Sequence, residues 1–209
     1  MKQLAIALAA IGLMAGCASN SASTAKAANA GDGAMTASAV LAPKSGSTVQ
    51  GSVKLAQQGD NRVAIAVDIS GLPANGMFGF HVHEKGDCSS ADGNSAGGHF
   101  NPTGQQHGDP RQGAHHAGDI PMLQSDANGK AVGSIVLSGV TLSPGPTSLV
   151  GHALIVHAGK DDYTTQPTGN SGGRIACGVI VANLSPARGT CSRAGTNRSM
   201  RTLAVRIFI

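Results

Sequence analysis

Histidine carries the chemistry of this sequence. All eight histidines lie between residues 81 and 157 of a 209-residue chain. His81 and His83 stand two apart in Gly79-Phe80-His81-Val82-His83-Glu84. In a strand, residues i and i+2 share a face, so the two imidazoles point one way while Phe80 and Val82 point the other. Such a pair can grip one metal ion while its neighbours enter a core. His99, His107, His115, His116 and Asp119 follow in a stretch rich in Gly and Asn, which has little to pack around unless a cation organises it. Imidazole with carboxylate suits zinc or copper and needs no thiolate. His157 ends the apolar run Leu154-Ile155-Val156, whereas His152, five residues earlier, falls on the opposite face and reads as a surface residue. Four separate stretches supplying imidazoles argue for a metal site rather than solvated surface.

Those side chains need a scaffold, and the pattern predicts strands. Residues 49–56 alternate, and Val63, Ile65, Val67 and Ile69 alternate with Ala64, Ala66 and Asp68, the period of two of a half-buried strand. Residues 71–76 form a turn cluster. Residues 77–84, 131–137, 153–157 and 175–180 read as further short strands. Two long irregular stretches, 85–126 and 158–174, interrupt them. Loops of that length in a compact domain are functional or are held by something other than packing. No helical period competes, and 12% charged residues with thirty Gly argue against a coiled coil or helical bundle. The expected fold is all-β, an antiparallel sandwich or barrel with two long loops.

Four segments then resemble one family. Gly79-Phe80-His81-Val82-His83-Glu84, Gly98-His99-Phe100-Asn101-Pro102, His116-Ala117-Gly118-Asp119 and Gly172-Gly173-Arg174-Ile175-Ala176-Cys177-Gly178-Val179-Ile180 are similar, in order and spacing, to the signature segments of copper–zinc superoxide dismutases. The resemblance spans roughly residues 37–180. It implies a Greek-key β-sandwich or flattened barrel of about eight antiparallel strands, with two long loops forming the metal site. It implies copper at His81, His83, His99 and His157, and zinc at His99, His107, His116 and Asp119, with His99 bridging. Of the neighbours His115 and His116, the family's spacing to Asp119 selects His116. Asp161 matches the carboxylate that ties the copper and zinc ligands together. Arg174 matches the arginine that attracts the anion beside copper, and Lys85 and Lys160 are lesser candidates for steering. Cys88 and Cys177 match the intrachain disulfide. The implied activity converts superoxide to O2 and H2O2 by alternate reduction and reoxidation of copper, with Arg174 and His99 as the catalytic residues. A non-catalytic copper- and zinc-binding lipoprotein on the same fold would be favoured by loss of Arg174 or a copper ligand. A copper-only relative would lack His107, His116 or Asp119. None of these residues is missing.

The ends of the chain read differently. Lys2 and the apolar run 4–14 have signal-peptide length, and Leu13-Met14-Ala15-Gly16-Cys17 resembles a bacterial lipobox with Cys17 as the lipid anchor. Residues 1–16 are thus expected to be a signal, and 17–36 a flexible tether of Ala, Ser, Asn and Gly. The expected location is exported and periplasmic, with membrane contact only through the anchor. Residues 181–209 carry five Arg, no acid and Cys191, and open three readings: a basic arm, an extension without a role, or an artefact of the sequence. The formal charge of +4 comes from 15 Lys and Arg against 11 acids. Setting aside Lys2 and the five tail arginines leaves nine bases against eleven acids, a net of −2. With five aromatic residues and no Trp, nothing offers a stacking platform for nucleic acid. The partner is the superoxide substrate, and homodimer and monomer stay equally open.

Overall fold

A computed structural model describes residues 35–183. The expected signal, Cys17, and nearly all of the tether and the tail, Cys191 included, lie outside the described residues. Nine strands follow in order: β1 (Thr36–Pro43), β2 (Gln50–Gln57), β3 (Arg62–Ser70), β4 (Met77–His83), β5 (Asp119–Gln124), β6 (Ala131–Ser138), β7 (Ala153–His157), β8 (Arg174–Val179) and the two-residue β9 (Val181–Ala182). Every pairing between them is antiparallel. The order β5-β4-β7-β8-β1-β2-β3-β6 brings its two ends together, so the eight principal strands form a nearly closed barrel. The fold is all-β, as the residue pattern and the family resemblance both implied.

β3 shows why the alternation matters. Val63, Ile65, Val67 and Ile69 are buried, while Asp68 and Ser70 face solvent. Each such side chain contributes about 1.5–3 kcal/mol on leaving water. β4 differs, because every residue after Met77 is buried. Phe78, Phe80 and Val82 enter the main core, and His81 and His83 are 0% exposed on the other side. The site is therefore built on the back of the core, and β4 belongs to both.

Two strands escaped the sequence pattern. β1 is made largely of small residues, and β5 lies inside the stretch read as irregular. The ladder also runs past residue 180, where Val181 and Ala182 pair with Ser38 and Ala37, and Asn183 N donates to Thr36 O. The long stretches are held from outside. A disulfide joins Cys88 to Cys177 in β8, with a Cα separation of 5.8 Å. Beneath it a small cluster of Ala96, Ala153 and Ile155 packs behind β7.

Candidate metal centre

β4 presents His81 and His83, and β7 pairs beside it with Ile155 opposite His81 and Ala153 opposite His83. His157, which ends β7 next to a register irregularity against β8, therefore falls on the same face as both. His99 forms an isolated bridge to His83, and Val82 exchanges hydrogen bonds with Phe100 and Gly118. The first loop is thus laid along the edge of β4. His81, His83, His99 and His157 come together with all ligand atoms within 4.8 Å of one another, and so do His99, His107, His116 and Asp119. Both groups are buried and share His99.

Hydrogen bonds decide which nitrogens are free. His83 Nδ1 donates to Gly97 O at 2.9 Å, and His157 Nδ1 donates to Gly172 O at 3.1 Å. His81 Nε2 donates to the Asp161 carboxylate at 2.6 Å. His81 Nδ1 and His83 and His157 Nε2 are left facing one another, with the last two 3.4 Å apart. His81 Nδ1 and His99 Nε2 are buried with no partner of any kind. An orphaned acceptor of this type is costly in a protein interior, and a cation is what it fits.

The second group has the dimensions of a tetrahedral zinc site. His99 Nδ1 and His107 Nδ1 each lie 3.0 Å from Asp119 Oδ1. His116 Nδ1 lies 3.4 Å from that oxygen and 3.3 Å from His99 Nδ1. Zinc bonds of about 2.0–2.1 Å give a tetrahedron with edges of about 3.3–3.4 Å. Asp119 Oδ2 is occupied, accepting from Gly108 N at 3.1 Å and His116 N at 2.9 Å. His115 turns away, its Nδ1 donating to His116 O at 2.7 Å, and belongs to neither group. His152 also stays outside, against Phe100.

Charge is divided between the halves. Burial pushes His83 down to about 2, His157 to about 3 and His99 to about 4, the last against an opposing hydrogen bond to Asp119. Those imidazoles stay neutral at pH 7 and keep their lone pairs. For His107 burial acts downward too, but the Asp119 and Asp161 carboxylates outweigh it and raise the ring to about 9. Burial would raise Asp119, yet hydrogen bonds from His107, His116 and His99 hold it well below the usual carboxylate range. Asp161 is lowered likewise by His107 and His81, and it joins the halves, accepting from His107 Nε2 at 2.9 Å.

Arg174 opens β8 beside a pocket of about 380 Å³ that His83 and His157 also line. Its Nη1 donates to Gly93 O at 2.8 Å and its Nη2 to Gly97 O at 2.6 Å. Gly97 O thus accepts from both Arg174 and His83, fixing a cation beside an imidazole. Lys85 and Lys160 do not line this pocket. Sequence reasoning missed Gln166, whose amide grips the backbone of His107: His107 N donates to Oε1 and Nε2 donates to His107 O, each at 2.9 Å. A Gln in a polar loop gives no signal of this kind. Gly169, φ 68°, was missed too; a side chain there would collide with Asp161 and His107.

Known proteins share these features. The model of the copper/zinc superoxide dismutase family matches residues 49–180. Cu-Zn superoxide dismutase 2 of Aquifex aeolicus is 43% identical over 122 residues, covering 56% of this chain and 71% of that protein. Cu-Zn superoxide dismutase 1 of the same organism is 41% identical over 127 residues, covering 59% and 75%. Among solved structures, the clock protein EA4 is 40% identical with a TM-score of 0.64, over 70% of this chain and 93% of that one. A SOD-like protein from Bacillus subtilis is 35% identical with a TM-score of 0.60, over 69% and 97%. The matched span holds every residue of both ligand groups, and the chain belongs to the copper–zinc superoxide dismutase family.

Proposed function

We propose that this chain is a superoxide dismutase carrying one copper and one zinc, which turns two superoxide ions and two protons into O2 and H2O2. The observation that carries the reading is the pair of buried ligand sets sharing His99, with Arg174 fixed at the mouth beside one of them. His81 Nδ1, His83 Nε2, His99 Nε2 and His157 Nε2 would hold copper. His99 Nδ1, His107 Nδ1, His116 Nδ1 and Asp119 Oδ1 would hold zinc. Copper supplies a reversible one-electron couple and zinc a fixed charge without redox chemistry.

The chain's own part is to bind, orient and protonate. The Arg174 guanidinium, tied at two nitrogens, keeps its remaining N–H groups for a small anion in the pocket. His83 and His157 are fixed by carbonyls on their far nitrogens, so their rings do not turn when an anion arrives. His99 Nε2 is the atom at which the chain can hold a proton next to that anion whenever its lone pair is not given to copper. Asp161 keeps His81 and His107 in register across the two halves.

The reading extends to an exported enzyme, lipid-anchored through Cys17 in the periplasm, that removes superoxide there. The sequence features of residues 1–17 support it, and mass spectrometry of the mature N-terminus tests it. The enzyme reading is tested by dismutation with purified protein holding one Cu and one Zn, beside His157→Ala. Activity in the first and its loss in the second are expected. A fully metallated but inactive wild type would overturn the reading.

A further inference from the structure

Arg174 is held by the segment around a 3₁₀ turn, Asn94–Ala96, and an acid stands at its entrance. Gly93, whose carbonyl accepts from Arg174 Nη1, is left-handed with φ 73°. It sits tight against the arginine stem, since a Cβ there would lie 3.2 Å from Arg174 Cβ and 3.4 Å from Cδ. Asp92 spans this glycine. Its Oδ1 accepts from Asn94 N at 2.9 Å, closing an Asx turn, and its Oδ2 accepts from Asn94 Nδ2 at 2.7 Å. The carboxylate is exposed, yet these two bonds fix it.

Asp92 lines the same pocket as Arg174, His83 and His157, and it and Arg174 are the two charged residues there. They form no ion pair within 4.0 Å, so neither charge is cancelled by direct contact. An entering anion meets both.

We propose that Asp92 sets the rate of anion entry: its oxygens position the turn that holds Arg174, while its charge opposes the anion that Arg174 attracts. The two roles act in opposite directions and can be separated. Asp92→Asn keeps an oxygen acceptor for Asn94 N and removes the charge. Asp92→Ala removes both. The inference rests on superoxide being the substrate. One unit charge at the mouth of a small pocket changes encounter rates by about two- to fourfold at low ionic strength. The effect fades where the Debye length is about 3 Å, in roughly 1 M salt.

The test uses the full chain, loaded with both metals and with the disulfide intact. Superoxide kcat/KM is measured at low and high salt, and azide affinity is read from the visible spectrum of copper. Asp92→Asn is expected to raise kcat/KM about two- to fourfold at low salt, with the gain vanishing at high salt and azide tightening by a similar factor. Asp92→Ala is expected to fall below Asp92→Asn in both measurements. A rate for Asp92→Asn at or below wild type in low salt, or a gain that survives high salt, would overturn the charge role. Equal behaviour of the two variants would overturn the positioning role. A metallated wild type without activity would instead strike the dismutase reading, and azide affinity would then test Asp92 by itself.

Discussion

Gly169→Ala should weaken zinc binding although Gly169 is not a ligand. The added methyl would overlap Asp161 Oδ1 and crowd His107 Nε2, the two atoms whose 2.9 Å hydrogen bond keeps His107 Nδ1 aimed at Asp119. Losing a hydrogen bond to a charged group costs about 1.5–3 kcal/mol. The left-handed backbone, φ 68°, adds about 1–2 kcal/mol for any residue with a Cβ. The second cost is paid with or without metal and lowers stability alone. The first falls on ligand orientation and predicts a zinc affinity about 10- to 100-fold weaker. Gly113→Ala is the control: it is also left-handed, φ 64°, in the first loop, with nothing within 4 Å of an added Cβ. It should lose stability and keep its zinc affinity within about threefold. Chelator competition measures the affinity. Tyr163, the single Tyr of a chain without Trp, has its ring 6.5 Å from that of His107 and gives a fluorescence signal for the same titration. Equal zinc affinity in Gly169→Ala and Gly113→Ala would refute the argument that Asp161 orients His107.

Further outcomes follow from the same geometry. Replacing Cys88 and Cys177 by Ser frees a loop with a sequence separation of 89, which should cost about 4–5 kcal/mol in denaturant unfolding of the metal-free protein; a loss below about 1 kcal/mol would contradict this. His116→Ala should abolish stoichiometric zinc by elemental analysis, and His115→Ala should leave it intact; the reverse would undo the ligand assignment. Arg174→Lys replaces the forked guanidinium by a single ammonium, which could meet Gly93 O and Gly97 O only by leaving one N–H for an anion, so kcat/KM should fall about tenfold or more with copper content unchanged. The metal-free protein should be most stable near pH 6.5–7, measured by denaturant unfolding from pH 4 to 9. His83, His99 and His157 have lowered folded values, so their contribution is lost as pH falls below about 6.5. His107 is raised to about 9, so its contribution is lost as pH rises through that value. Three groups act on the acid side and one on the alkaline side, and the acid limb should be the steeper.

The sequence makes some of this plain and conceals the rest. β3 is legible because one face is core and the other is water, so polarity alternates with the pleat. β4 is legible only through chemistry, since both of its faces are buried and the alternation is between hydrocarbon and imidazole. β5 escaped because it starts on the ligand Asp119, carries Pro121 and is too short to alternate clearly. Half of β1 is Ala and Ser, a composition shared with the segment before it. A metal site was readable from residue type and spacing, and the two ligand sets, with the choice of His116 over His115, came from the family resemblance. Gln166, Gly169 and Asp92 were not readable at all. Each is an ordinary loop residue whose role arises from a group the fold brings to it: the backbone of His107, the Asp161 carboxylate or the Arg174 guanidinium.

The double burial of β4 also bears on how errors in folding are caught. Side chains in a strand repeat every two residues, so a slip of one position exchanges the faces. In most strands of this barrel that would bring polar groups such as Asp68 inward. In β4 it would drive His81 and His83 into hydrocarbon and set Phe80 and Val82 against His99 and His157. A chain with that mistake would lack two of the four copper ligands, and copper loading would thereby serve as an inspection step that only correctly registered molecules pass.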